Sequence, residues 1–372
     1  MPPEGGVDRG FLMKNVKSLL ALSTAVFFNT AQAADIEVVA QLDGTRPGNI
    51  TVTEQGRTFL SMQPLDTPKF RVVELMEDGS TKPFPTKDWA DGPETGEVGL
   101  SSVIGIDSTE DGVVWILDMG SADAPAQIVA WDTVNNTLFK RIEISKDVTV
   151  GNSFLQDFAL DTKRNQMYIA DTTLGNLFGE PAPAFVVVDL DTGKSRRVLE
   201  SYKALLSPEH DVVIDSSLMG AKREDGSSDA LYLGLNPITI DSKNEWLYFG
   251  TVNGSSIYRL PAGALANDKL TDQELAQGIE FYREKRPSDG MIIADNGDIY
   301  VGDVEKNAVS IVTKEGFKTF AHDDKLLSWA DGFSIQDDYL YVTQNSLHLN
   351  SALNEGEEGS SKPYHVLRIK MD

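Results

Sequence analysis

The sequence predicts an all-β fold, a six-bladed β-propeller closed by its N- and C-terminal strands. Three observations predict it. One hairpin pattern recurs six times, an aromatic residue recurs at the same place in its second strand, and strand-like apolar segments stand at both ends, at residues 36–42 and 364–369.

The hairpins occupy residues 49–61, 104–118, 157–171, 237–251, 289–303 and 331–344. Each is a short alternating strand, a turn rich in Asp, Asn or Gly, and a second strand. The turns ending at Gly56, Gly112 and Gly297 supply the φ > 0 position that tight hairpins need. The aromatic column is Phe59, Trp115, Tyr168, Tyr248, Tyr300 and Tyr341. A spacing of roughly 40 to 80 residues suits one four-stranded blade per unit, with insertions. A β-sandwich has no reason to repeat one hairpin six times. The segment at 36–42 is expected to complete the last blade beside 364–369, which removes two exposed edges.

Ahead of the repeats lies an export signal. Lys14 and Lys17 form a positive n-region, residues 19–28 an apolar stretch, and Ala31-Gln32-Ala33 a cleavage site. Residues 1–12 read as an upstream leader, and residues 34–372 as a single propeller domain. No later stretch approaches the ~20 apolar residues of a membrane span. The mature chain is therefore expected to be secreted or periplasmic. Two segments interrupt the pattern. Residues 201–230 form a long insertion, expected to be a lid, a binding loop or unstructured. Residues 271–285 read as a helix, with Thr271 and Glu274 as a capping box and Leu275, Ile279 and Phe281 as its apolar face.

Composition excludes several functions. The 372 residues carry 33 Lys plus Arg against 57 Asp plus Glu, a net charge of −24 that repels nucleic acid. With no cysteine there is no disulfide, thiolate zinc site or Cys nucleophile. The four histidines are His210, His322, His348 and His365, and none has metal-motif spacing. Neither a glycine-rich phosphate loop nor a G-x-S-x-G elbow occurs.

Equivalent residues of a closed propeller converge around its axis. The residues opening the inner strands are Asn49, Ile104, Asp157, Asn236 or Pro237, Asp289 and Asp331. The second strands end at the same face, on Met62, Asp118, Asp171, Thr251, Asp303 and Gln344. Clustered carboxylates need a compensating cation or donors, and a hard divalent cation suits carboxylate and amide oxygens. The bland alternative is that these aspartates cap backbone N–H groups and only hold blades together. It is the favoured reading for Asp118, Asp171 and Asp303. His348 follows the last hairpin and falls near the same mouth. Trp89 and Trp329 sit beside turn residues and stand apart from the other tryptophans, which read as blade core.

Several of these segments resemble the major royal jelly/yellow protein family: VVWILDMG at 113–120, FVVVDLDTGKSRRVL at 185–199, and the stretches 237–265, 288–309 and 329–348. The resemblance implies a propeller that binds small amines or lipids, or converts dopachrome-like compounds. A wider group of such propellers includes the gluconolactonases, which hold a divalent metal with a Glu, an Asn and an Asp. By position Asn236 matches that Asn and Asp289 that Asp, whereas the Glu position holds Gly48-Asn49.

Three readings follow. The first is an exported propeller binding a small organic ligand, an amine or a metal-bridged one, through Asn49, Asp157, Asp331 and His348. The second is a lactonase whose cation, calcium before zinc or manganese, sits on Asn236 and Asp289, with Asp157 a further candidate ligand. The third is a protein-interaction scaffold. No catalytic set is assigned.

Overall fold

The computed structural model describes residues 34–93, 98–177, 179–222 and 225–371, so the expected leader and signal peptide lie outside the described residues. Six four-stranded antiparallel sheets make the six blades of a propeller. Blade 1 comprises Pro47–Val52, Thr58–Met62, Val72–Leu75 and Thr81–Pro83. Blade 2 comprises Val103–Ser108, Val113–Asp118, Gln127–Asp132 and Thr137–Glu143. Blade 3 comprises Leu155–Asp161, Gln166–Asp171, Ala184–Asp189 and Ser195–Val198. Blade 4 comprises Leu235–Ile240, Trp246–Thr251, Ser256–Pro261 and Glu280–Glu284. Blade 5 comprises Met291–Ile293, Ile299–Asp303, Ala308–Thr313 and Gly316–His322.

Blade 6 takes Ala330–Gln336, Tyr339–Gln344 and Tyr364–Lys370 from the end of the chain, and its outer strand, Ile36–Leu42, from the start. Ile36 pairs with Ile369 and Leu42 with Tyr364, the closure expected from the sequence. Every second strand ends on the expected residue, from Met62 in blade 1 to Gln344 in blade 6.

Blades pack face to face, so the apolar core is divided among the interfaces between them. Phe185 and Phe249 meet edge-on between blades 3 and 4, with ring centroids 5.1 Å apart. Phe59 and Phe84 fill the space between blades 1 and 2. The aromatic column marks these contacts: Phe59 and Tyr168 are fully buried, and Trp115, Tyr248 and Tyr300 nearly so.

The inner strands share a local device. In five blades the ladder shifts register near the strand start, at residues 47–50, 103–106, 155–157, 235–238 and 330–333. Such bulges bend the strand and re-aim its side chains. Close approach between strands here requires glycine. A Cβ on Gly290 would lie 1.8 Å from the Asp331 carbonyl oxygen, and one on Gly332 2.5 Å from Asn49 Cα. Each of these glycines follows an aspartate of the inner column, and the absence of a side chain lets that aspartate reach the axis.

Two expectations need correction. The helix is short, Asp272–Gln277, although its capping box at Thr271 and Glu274 is present. The helix stops at Gly278, and the chain then enters the outer strand of blade 4, where Phe281 is 59% exposed instead of lying on an apolar face. The insertion is ordered where it is described. It forms two hairpins, Val213–Ile214 with Ser217–Leu218 and Gly220–Lys222 with Ser228–Ala230. Val212, Ile214, Met219 and Leu231 pack with Trp329, Leu347 and Leu353 in one buried cluster. Gly220 and Glu355 tie the insertion to the loop after the last hairpin through backbone hydrogen bonds. Together they roof the end of the propeller where the inner strands begin. Among the described residues no helix is long and apolar enough to cross a membrane.

Candidate functional site

The inner strands enclose an axial channel holding a cavity of about 190 Å³. Its walls are mixed, with Ile106, Phe158, Ile238, Met291, Ile292 and Phe333 supplying the apolar part. Asn49, Asp107, Asp157 and Asp331 supply the polar surface. Exposure shows which end is open. Asn236, Asp289 and Asp331, beneath the roof, are 2%, 4% and 7% exposed, whereas Asp107, towards the hairpin turns, is exposed. The end at which the sequence placed the mouth is covered, and the channel is entered from the turn face.

The inner column does converge. Asp289 lies at its centre, with three side-chain donors: Asn236 Nδ2 at 2.5 Å and Gln156 Nε2 at 3.0 Å on Oδ1, and Trp329 Nε1 at 2.9 Å on Oδ2. Asp331 hydrogen-bonds to Asp289, and its Oδ2 accepts from Asn345 Nδ2 at 2.6 Å. Asp157 Oδ1 accepts from Phe158 N at 2.9 Å and from Asn49 Nδ2 at 3.3 Å.

Crowding carboxyls in a poorly solvated channel disfavours their charge. Burial, reinforced by the charge of Asp289, raises Asp331 well above the carboxylate range, so Asp331 carries the proton that links the pair. Burial, with repulsion from Asp107 and Asp289, pushes Asp157 up to about 8. Asp107 rises to about 6 from the protein packed around it, although channel water reaches its side chain. Among the described residues no Lys or Arg forms an ion pair with any of the four. Lys285, which burial lowers to about 7, spends its Nζ on the carbonyls of Thr251, Gly254 and Arg286 at 2.8, 2.8 and 3.1 Å.

The other candidates fall elsewhere. His348 does not line the channel: it is 5% exposed within the roof and stacks on Trp329 with ring centroids 5.8 Å apart. Burial lowers it to about 4, which leaves it neutral. Trp89 is buried between blades 1 and 2. Asp118 accepts from the backbone N–H groups of Ser101, Ser102 and Gly120, and from Gln127 Nε2. Asp171 accepts from Phe154 N, Thr173 N, Ser153 Oγ and Arg197 Nη1. Each ties the second strand of its own blade to the segment that leads into that blade. Sequence reasoning passed over Asp107, Gln156 and Asn345, which flank the column without standing in it. Asp107 was legible as a polar residue one step before the turn of an inner strand.

The donor set does not suit a divalent cation. Both oxygens of Asp289 are taken by protein donors, and Asn236 turns its NH2 towards the carboxylate, leaving its Oδ1 buried without a donor. No acidic side chain fits at Gly48, because a Cβ there would lie 2.8 Å from Ser61 Oγ. That hydroxyl is fixed between Asn49 N and the Ile104 carbonyl. Among the described residues no three His, Asp or Glu side chains gather in a metal-binding group.

Comparison with known proteins agrees with this architecture. The family model described as major royal jelly protein matches residues 101–357. A gluconolactonase from Xanthomonas campestris is 11% identical, with a TM-score of 0.54 over 91% of this chain and 90% of its own. The calcium-binding protein regucalcin from Agrobacterium tumefaciens is 15% identical, with a TM-score of 0.53 over 90% of this chain and 96% of its own. A luciferin-regenerating enzyme is 13% identical, with a TM-score of 0.55 over 91% and 97%. At these identities the likeness is one of fold. No curated protein sequence matches the chain.

Proposed function

The chain belongs to the major royal jelly protein family, and on that footing we propose that it binds a small organic cation, an amine, in its axial channel. One observation carries this reading: Asp107 and Asp157 face a cavity of mixed polar and apolar lining with no ion-pair partner among the described residues. A protonated amine supplies the missing charge, and its carbon skeleton meets Ile106, Phe158 and Phe333. Asp289 and Asp331 share a proton and form the closed floor, so Asp157 is the main counter-charge and Asn49 orients it. No divalent cation belongs to this reading, since Asp289 has its donors from protein. Export belongs to it, on the strength of the segment ending at Ala33. Mass spectrometry of exported protein would then find Ala34 at the N-terminus.

Calorimetric titration with a primary amine and with its uncharged alcohol analogue tests the assignment. Binding of the amine alone, lost in Asp157→Asn, is expected. Equal binding of both, or of neither, overturns it.

A further inference from the structure

A second cavity, of about 690 Å³, lies on the turn face against blades 2, 3 and 4. It shares Asp107, Leu160 and Ile240 with the channel, so the two adjoin. The channel alone is smaller than the roughly 300–1,000 Å³ typical of small-molecule sites, and the groove falls within that range. The groove wall contains Trp115 and Phe139, paired edge-on at 6.2 Å between ring centroids. Phe139 is 54% exposed. Around this apolar strip stand Glu110, Asp111, Asp191 and Asp241. None of these four makes an ion pair among the described residues; Asp111, Asp191 and Asp241 accept from neutral donors. The groove's cation, Lys140, already donates to the Leu190 carbonyl at 2.6 Å.

The arrangement is an inner counter-charge, an apolar strip and an outer ring of unpaired carboxylates. We infer that the groove is a second subsite and that the ligand class is an elongated di- or polyamine. One ammonium enters the channel, a hydrocarbon spacer lies along Leu160, Trp115 and Phe139, and a second ammonium meets Glu110, Asp111 and Asp191. This rests on the channel reading for the first ammonium.

The test compares octylamine with a series of linear α,ω-diamines from propane-1,3-diamine to decane-1,10-diamine, at physiological salt so that the net charge of the protein is screened. Affinity is expected to rise with spacer length, and a long diamine to bind up to about fivefold tighter than octylamine, the gain of one exposed charge pair. The exposed triple change Glu110→Gln, Asp111→Asn, Asp191→Asn is expected to remove that advantage and leave octylamine binding as it was. Asp324→Asn, at an exposed carboxylate of blade 6's approach, is expected to change neither. If octylamine binds and long diamines gain nothing, the groove assignment is overturned and the channel reading stands. If Asp324→Asn lowers diamine affinity as much as the triple change, the gain is diffuse attraction and the groove assignment is overturned. If neither amine binds, both fall.

Discussion

Trp329 donates its indole N–H to Asp289 Oδ2 at 2.9 Å while its ring lies against His348, so one side chain joins the roof to the floor of the channel. The residue is fully buried. A hydrogen bond to a carboxylate out of water contributes more than a neutral one, roughly 1.5–3 kcal/mol. Trp329→Phe keeps an aromatic face for His348 and removes the donor. Urea unfolding is expected to show a loss of about 2 kcal/mol, part of it from the smaller ring. Wild-type stability in that variant would mean that the roof and Asp289 are not coupled.

Amine affinity is expected to depend on pH with a definite sign. Asp157 titrates at about 8, so below that value it is neutral and must release a proton when a cation binds. Affinity should rise towards pH 8 by up to about tenfold per unit and then level, because the amine itself stays protonated. Proton release, read by calorimetry in buffers of different ionisation enthalpy, should accompany binding at pH 6.5 and vanish near pH 9.

The same group opposes folding in alkali. Its folded value of about 8 stands above the ordinary 3.8, so its contribution to stability is complete below 3.8 and is lost as pH rises through about 8. Asp157→Asn removes the charge altogether. Relative to wild type it is expected to gain on the order of 1–2 kcal/mol between pH 5 and pH 8.5, with channel water screening the rest. A stability difference independent of pH would show that Asp157 is solvated.

Divalent metals are expected to leave the melting temperature unchanged. A ligand bound only by the folded state raises it by mass action, and the oxygens of Asp289 are already engaged by Asn236, Gln156 and Trp329. Scanning calorimetry in calcium, zinc or manganese against chelator measures this. A rise in metal that Asp289→Ala abolishes would establish a cation site in which the Asn236 amide has turned over.

The blades were legible because hairpins repeat, and because an alternating strand with a turn glycine and an aromatic looks the same in every unit. The inner aspartates were legible for the same reason: Asp157, Asp289 and Asp331 occupy one repeat position, and ring closure brings repeat positions together. The roof was not. Val212, Ile214, Met219 and Leu231 have no period, and they are buried only because Trp329, Leu347 and Leu353 arrive from the far end of the chain. His348 was therefore placed near the mouth as a ligand-binding residue, and the open face was placed at the wrong end. The strand at 280–284 was hidden by the capping box before it, since the start of a helix says little about where Gly278 will stop it.

The pairing of Ile36 with Ile369 makes the order of blades in the gene arbitrary. A chain rewired to begin in the exposed turn around Asn135, with the old ends joined by a short linker, would traverse the same ring and meet the same neighbours. It would differ in timing. In the natural order blade 6 waits for the last strand to emerge before it can accept its outer one, whereas the rewired chain could finish that blade early and leave blade 2 for last.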